Sequence, residues 1–379
     1  MTRRLHKAFH NFTAWLSIFL ITAQPIMAQS IVSDANGPVV IESANGTTMV
    51  MISTPDANGV SHNTFVEFSV GADGAILNNV GENTATTQLG GIVQGNSNLA
   101  GGTASVIINE VTSNNASVLN GYLEVGGDRA DVIVANPYGI TCDGCGFINT
   151  DRLTMTTGST TYDGDTFTGF SVDGGSVNIM GGGLDATDTT RFDLISRQIT
   201  VAGAVHGQRI RVIAGRNDVI YATGEVTEKA DDGSTAPTLA IDSTVVGGMY
   251  ANAITMVATE NGVGVRLNGE MASSTNIALR ADGQLTLGAP SGAHVPQIKA
   301  REQVIIRNQG PLLLEGSITS ENGNLIDIGT SDGTLTFTGQ VDGGAITLES
   351  AGLANITAAI TASDALKVTS LTDSVTLGD

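Results

Sequence analysis

Aromatic side chains are scarce in this chain, at 4% of 379 residues, and charged ones make up only 14%. So little bulk leaves no material for a wide globular core, but it suits many thin, similar strands joined by tight turns. Basic residues are the minority: 17 Lys and Arg stand against 37 Asp and Glu, a net charge of −20. That balance argues against nucleic-acid binding, which needs a basic stripe, and against docking on anionic lipid. Past residue 30 no segment is apolar enough to cross a bilayer and no amphipathic helix of useful length can be drawn. There is no H-E-x-x-H and no phosphate-binding G-x-x-x-x-G-K-[ST]. What is abundant is glycine, 48 residues, together with Val, Ile, Thr, Ala and Asn; hydrophobic residues reach 41%, too many for a disordered acidic tail.

Residues 1–28 read as a secretory signal. Arg3, Arg4 and Lys7 form a positive start, Ala14–Ala23 an apolar run, Pro25 a break, and Ile26-Met27-Ala28 a cleavage site after Ala28. The run is about half of the ~20 residues that a membrane span needs. The residues after Arg3-Arg4 fit a twin-arginine signal poorly, which favours the general secretory route. Cleavage would remove three positive charges and no negative one, taking the net charge from −20 to −23.

Cysteine occurs twice, as Cys142 and Cys145. In an exported protein the default reading of this C-x-x-C is a local disulfide, worth at most ~2 kcal/mol because so small a ring removes little chain entropy. A redox role needs a following helix and a lowered thiol pKa, and zinc needs about four ligands. Here Asp143-Gly144 and Gly146 read as a turn, and His6, His10, His62, His206 and His294 are scattered. Those two readings stay open as the lesser alternatives.

The last hundred residues repeat. Pairs of apolar residues flank a polar one at Ile326/Ile328, Leu335/Phe337, Ile346/Leu348, Leu366/Val368 and Val375/Leu377; Ile326, Ile346 and Leu366 are spaced by 20. Strict alternation buries one face of a strand and wets the other. Asn322-Gly323, Asp332-Gly333 and Asp342-Gly343-Gly344 supply turns between them. The same texture recurs at Ile254/Met256, Val265/Leu267, Ile277/Leu279 and Leu285/Leu287. The pattern predicts an all-β solenoid, a parallel β-helix, right-handed because parallel crossovers are right-handed, with Ile31–Gly59 as its N-terminal cap. A β-sandwich is the rival, but it would show more aromatic core and no fixed period.

One block departs from the repeat. It comprises Asn109-Glu110-Val111, Gly121-Tyr122-Leu123-Glu124-Val125, and the stretch Ala130 to Thr150, which contains Asn136-Pro137-Tyr138-Gly139-Ile140 and Cys142-Asp143-Gly144-Cys145-Gly146-Phe147-Ile148-Asn149. Pro137 lacks an N–H and ends a strand, and Asn136 and Gly139 bracket a tight turn at the surface of the rod. This block resembles the secretion domain of two-partner-secretion exoproteins, the filamentous-haemagglutinin and contact-dependent-inhibition family. Members carry an N-P-N type motif after a strand, and a C-x-G-C-G-F-I-N version is typical of the inhibition-toxin branch; Tyr138 stands where the second Asn often stands. Further matching pieces are Gly59–Asn63 leading to Phe65 and Phe68, Gly74–Asn79, Phe192–Arg197, Gly215–Val219 and Gly247–Asn252.

The resemblance implies a right-handed β-helix with a capped N-terminus and small extra-helical β elements. It implies an export domain over 29–290, followed at 291–379 by continuing repeats, the start of a stalk that stops early. It implies a secreted or cell-surface adhesin or toxin-delivery exoprotein, exported through the periplasm to a dedicated outer-membrane β-barrel transporter whose periplasmic domains recognise Asn109, Asn136, Pro137, Tyr138, Gly139 and Ile140. No cofactor or metal is implied. The alternative is a secreted β-helical carbohydrate-active enzyme such as a polysaccharide lyase, for which Asp193 and Arg197 could serve in a groove; an exposed ion pair on the rod surface is the plainer reading. Gly182-Gly183-Leu184-Asp185 faintly resembles a calcium-binding glycine repeat but occurs once.

Overall fold

The computed structural model describes residues 30–81, 83–288 and 294–378. The expected signal segment lies outside the described residues. Within them the chain is all β apart from two short 3-10 turns, and it winds as a parallel solenoid with three strands per regular coil. The third face of the coil is a single 11-stranded parallel ladder; the other two run together as a 24-stranded sheet.

The spacing seen in the sequence is the register of the ladder. Ile326 pairs with Ile346, and Ile346 with Leu366. The same inward column runs back through Val304, Ile277, Ile254, Ile210, Phe192, Leu153 and Val132. Each member stacks on an apolar neighbour one strand spacing away, about 4.8 Å, so one column forms a continuous core, buried from Val132 to Ile346. Small and β-branched side chains fit this narrow interior, which explains the composition.

The N-terminus closes the first coil by reversing direction. Ile31–Ser33 runs antiparallel to Val60–Phe68, and Val39–Glu42 antiparallel to Thr48–Met51. Fully buried Phe65 and Phe68, ring centroids 4.9 Å apart, plug the end.

Three excursions leave the solenoid. A hairpin of Thr84–Thr87 and Gly91–Gln94 packs Val93 against Met49, Ile76 and Val80. Fully buried within its turn, the Glu124 carboxylate accepts from the backbone N–H of Gln88 (2.6 Å) and Leu89 (2.7 Å). Two longer excursions meet in a four-stranded antiparallel sheet of Ser159–Asp163, Thr166–Ser171, Asn217–Ile220 and Val226–Glu228. This outer sheet lies on the second face of the coil and buries Phe170, Val172 and Val219 against Ile108, Ile133, Ile195 and Ile213.

Candidate functional site

The motif block is positioned by the strand Ala130–Ala135, which lies between Val106–Val111 and Thr150–Thr156. Asn109 is the register partner of Val134 on one side and of Asn63 on the other, so it points into the solenoid. Asn63 and Asn109 form a short polar column. Asn63 Nδ2 donates to the Ile108 carbonyl (3.1 Å) and Asn109 Nδ2 to the Ile133 carbonyl (3.2 Å). Asn109 Oδ1 is buried without a protein partner.

The strand ends at Asn136-Pro137, where proline has no N–H to offer the ladder. The Asn136 backbone still donates to Thr156 O (2.9 Å), and Gly139 N closes the turn on Asn136 O (3.0 Å). The Asn136 side chain accepts from Tyr138 N (2.9 Å) and donates from Nδ2 to Asn115 O and to Ser117 Oγ, both at 2.9 Å. Gly139 has φ +117°, a left-handed conformation that a side chain resists. Ile140 then enters the third face between Ser117 and Val177.

This geometry corrects the expectation of a tolerant surface turn. Asn109, Asn136, Gly139 and Ile140 are buried, Pro137 is partly covered, and only Tyr138 stands clear of the surface, at 59% exposure. The turn is sewn into the coil before it through Asn115 and Ser117, which the sequence could not reveal. Just beyond, Cys142 and Cys145 are joined as a disulfide with Cα atoms 5.5 Å apart, and both are buried.

Asp193 and Arg197 do not form a pair, and Asp193 is not on an exposed surface. The outer sheet seals it: Asp193 is fully buried on the outward column between Thr154 and Arg211. Its carboxylate meets Arg152 (2.7 Å), Arg191 (2.9 Å) and Arg211 (2.9 Å). The Tyr221 ring from the outer sheet covers the Arg152 guanidinium at 3.8 Å, and its hydroxyl donates to Asp131 (2.5 Å). Burial pushes the Asp131 carboxyl above the usual carboxylate range despite the help of Tyr221 and Arg152. Burial also lowers Arg211, which Asp193 only partly offsets. Arg197 instead makes a paired contact with Glu260 (2.6 Å).

A second staple holds the outer sheet to the strands Val60–Phe68 and Val106–Val111. His62 Nε2 meets Glu110 Oε2 (2.7 Å), His62 Nδ1 meets the Tyr162 hydroxyl (3.1 Å), and Thr160 Oγ1 donates to Glu110 (2.9 Å). Burial pushes Glu110 up, but the hydrogen bonds from His62 and Thr160 outweigh it and hold the carboxyl below its ordinary range.

Sequence reasoning expected small extra-helical β elements but did not place them as a layer over the second face, although one signal was present. In Val132-Ile133-Val134-Ala135 every residue is apolar and buried, whereas an uncovered strand alternates.

Comparison with known proteins gives a consistent result. The family model for the TPS secretion domain matches residues 23–287. A tRNA nuclease CdiA of Yersinia mollaretii is 44% identical over 306 residues, 80% of this chain and 10% of that protein. A toxin CdiA of Yersinia pestis is 41% identical over 312 residues, 82% of this chain and 9% of the relative. The chain thus spans about a tenth of the length of the curated relatives it matches. The crystal structure of a filamentous hemagglutinin secretion domain superposes with a TM-score of 0.64 at 29% identity, covering 93% of this chain and all of the other.

Proposed function

The chain belongs to the family of TPS (two-partner secretion) secretion domains, and from that premise we propose that it addresses a secreted or cell-surface exoprotein to an outer-membrane β-barrel transporter. In this reading the chain crosses the periplasm unfolded and the transporter's periplasmic domains bind the segment Asn109 and Asn136–Ile140. It then threads the barrel and folds outside. The observation that carries the reading is burial. Four of the six motif residues are inaccessible in the folded solenoid, so a partner that uses them must meet them before the coil closes. The rest of the molecule suits such a route. Its disulfide spans a separation of 3 residues, so it closes no large loop that would obstruct a pore. Each regular coil bonds to its neighbours, so folding proceeds locally as chain emerges. The large negative charge keeps unfolded chain soluble.

The names of the relatives, nuclease and toxin, belong to proteins about ten times longer. We carry over from them only that this domain exports a payload of the toxin-delivery or adhesin kind. The carbohydrate-active enzyme has no support here, since Asp193 is sealed beneath the outer sheet and held by three arginines.

The test is secretion beside stability, with the transporter co-expressed. Tyr138→Ala alters the one exposed motif residue, and as a surface change should shift stability by no more than about 0.5 kcal/mol. Asn136→Ala removes a buried side chain. Both should lower the ratio of extracellular to periplasmic protein. If Tyr138→Ala and Asn136→Ala are both secreted normally, the segment is not the address.

A further inference from the structure

Three of the motif pieces, Gly121–Val125, Cys145-Gly146 and Gly247–Asn252, have no part in the turn described above. The fold brings them to one place. They lie on the first face of the coil, the one the outer sheet leaves bare, in a single outward column: Tyr122, Gly146, Asp185, His206 and Tyr250 are successive register partners.

The two tyrosines are built alike. The Tyr122 ring lies directly over Gly146, where a Cβ would come within 2.3 Å of the ring, and its hydroxyl donates to Asp185 (3.1 Å). The Tyr250 ring lies against Gly248, where a Cβ would come within 2.8 Å of the hydroxyl and 2.9 Å of the ring, and its hydroxyl donates to Glu270 (3.2 Å). In each case a glycine backs the tyrosine and a carboxylate fixes the tip. Tyr122 remains 38% exposed. Between them His206, itself exposed, stacks on Tyr250 with centroids 5.1 Å apart and planes 16° apart. These rings contribute nothing to the solenoid core, which lies on the other side of the strands. In a chain with only 5 tyrosines, two are held rigid at the surface with no load to bear.

Beside this row runs a recess of about 320 Å³. Gly144, Gly182 and Ala204 line it with small residues, and Tyr122, Asp185 and His206 wall it. Positions along the column are about 4.8 Å apart, close to the rise per residue of an extended sugar chain, so Tyr122 and Tyr250, four positions apart, are separated by roughly four sugar residues.

We infer that this face binds a linear, uncharged polysaccharide lying along the rod, with sugar C–H faces on Tyr122 and Tyr250 and sugar hydroxyls donating to Asp185. Preset rings pack on the apolar face of a pyranose with little loss of rotamer freedom, and an ionised carboxylate accepts strong hydrogen bonds from hydroxyls. Asp185 is held below the usual carboxylate range: burial opposes this, but Thr187 and Tyr122 donate to it and win. Charge excludes anionic glycans and nucleic acids, which Asp185 and Glu270 would repel.

The experiment is binding of the purified full chain to an array of linear neutral, anionic and amine-bearing oligosaccharides, followed by calorimetry on the best hexasaccharide. Binding to neutral chains is expected, weakened about tenfold by Tyr122→Ala or Tyr250→Ala, which is the size of one lost aromatic contact. The double variant should abolish it with the melting temperature unchanged. Gly146→Ala, which displaces the ring while leaving it in the protein, should weaken binding as Tyr122→Ala does. No binding to any neutral glycan, preference for anionic or amine-bearing ones, or equal binding by the double variant would each overturn the inference. Secretion is unaffected by either result, so the export reading stands or falls separately.

Discussion

The two halves of the solenoid share a core and differ in what covers it. From Val106 to Ala214 the second-face strands are buried on both sides: Ile107, Val132, Leu153, Phe192 and Ile210 point inward, while Ile108, Ile133, Ile195 and Ile213 point outward beneath the outer sheet. From Ile254 onward the same strands alternate, and their outward side chains, such as Thr255, Arg280, Arg307 and Glu349, face solvent. The inward column alone therefore suffices to build a coil. The outer layer is an addition, and with it comes the sealed cluster of Asp193 and its arginines, whereas the buried Asp282 of the plain half pairs with an exposed Arg280.

The sharpest way to separate the halves is to remove one carboxylate from each. Asp193→Ala would leave Arg152, Arg191 and Arg211 facing one another under Tyr221, and should cost about 3–5 kcal/mol. Asp327→Ala breaks a partly exposed pair with Arg307 and should cost no more than about 1 kcal/mol. Denaturant melts of the two variants measure the difference, and equal losses would show that the outer sheet does not isolate its ions from water.

Next in size is Asn136→Ala. Three side-chain hydrogen bonds are lost, and the buried Ser117 hydroxyl loses its donor, so about 2–4 kcal/mol is expected. A melting temperature that hardly moves would mean that water replaces the amide. Replacing Cys142 and Cys145 by serine should cost at most about 2 kcal/mol, since the ring is so short. That variant should still fold, which circular dichroism would show.

The smallest effect depends on pH. The Glu110 carboxyl is held below its unfolded value, so its staple contributes fully above the ordinary carboxylate range and is lost as pH falls through the lower, folded value. Asp131 works in the opposite sense, because its raised pKa favours the folded state as protons bind. Acid should therefore loosen the His62–Glu110–Thr160 contact while sparing the Tyr221–Asp131 side. Hydrogen exchange along Ser159–Asp163 should quicken at low pH before exchange along Asn217–Ile220 does. The reverse order would mean that the His62 staple is not what holds that edge.

Legibility in the sequence follows the same division. Ile326, Ile346 and Leu366 announced their register because alternation on an uncovered strand has one meaning. Ala130–Ala135 announced a strand, but its second buried face points to a cover without naming it. The covering strands start at Ser159 and Asn217, and no local pattern joins two excursions that pair as Phe170 with Val219. The motif block was visible as a set of residue types, whereas the burial of Asn109 and Asn136 was not. A side-chain amide inside a solenoid donates to carbonyls one coil away, here those of Ile133 and Asn115, which are some 20 residues removed in sequence. Asp193 misled for a related reason: its outward position was inferable, but the lid over it was not.

The joining of the two long excursions also decides how the molecule yields to tension. Pulled from its C-terminal end, the plain half should peel coil by coil, each step releasing the residues between register partners, from the 20 between Ile326 and Ile346 to the 27 between Ile277 and Val304. The strand pair Thr166–Ser171 with Asn217–Ile220 bridges coils that are not sequential, so the coils between them cannot leave singly. A force trace should change there from a regular ripple to one larger rip, and the covered half would act as a mechanical stop at the root of the rod.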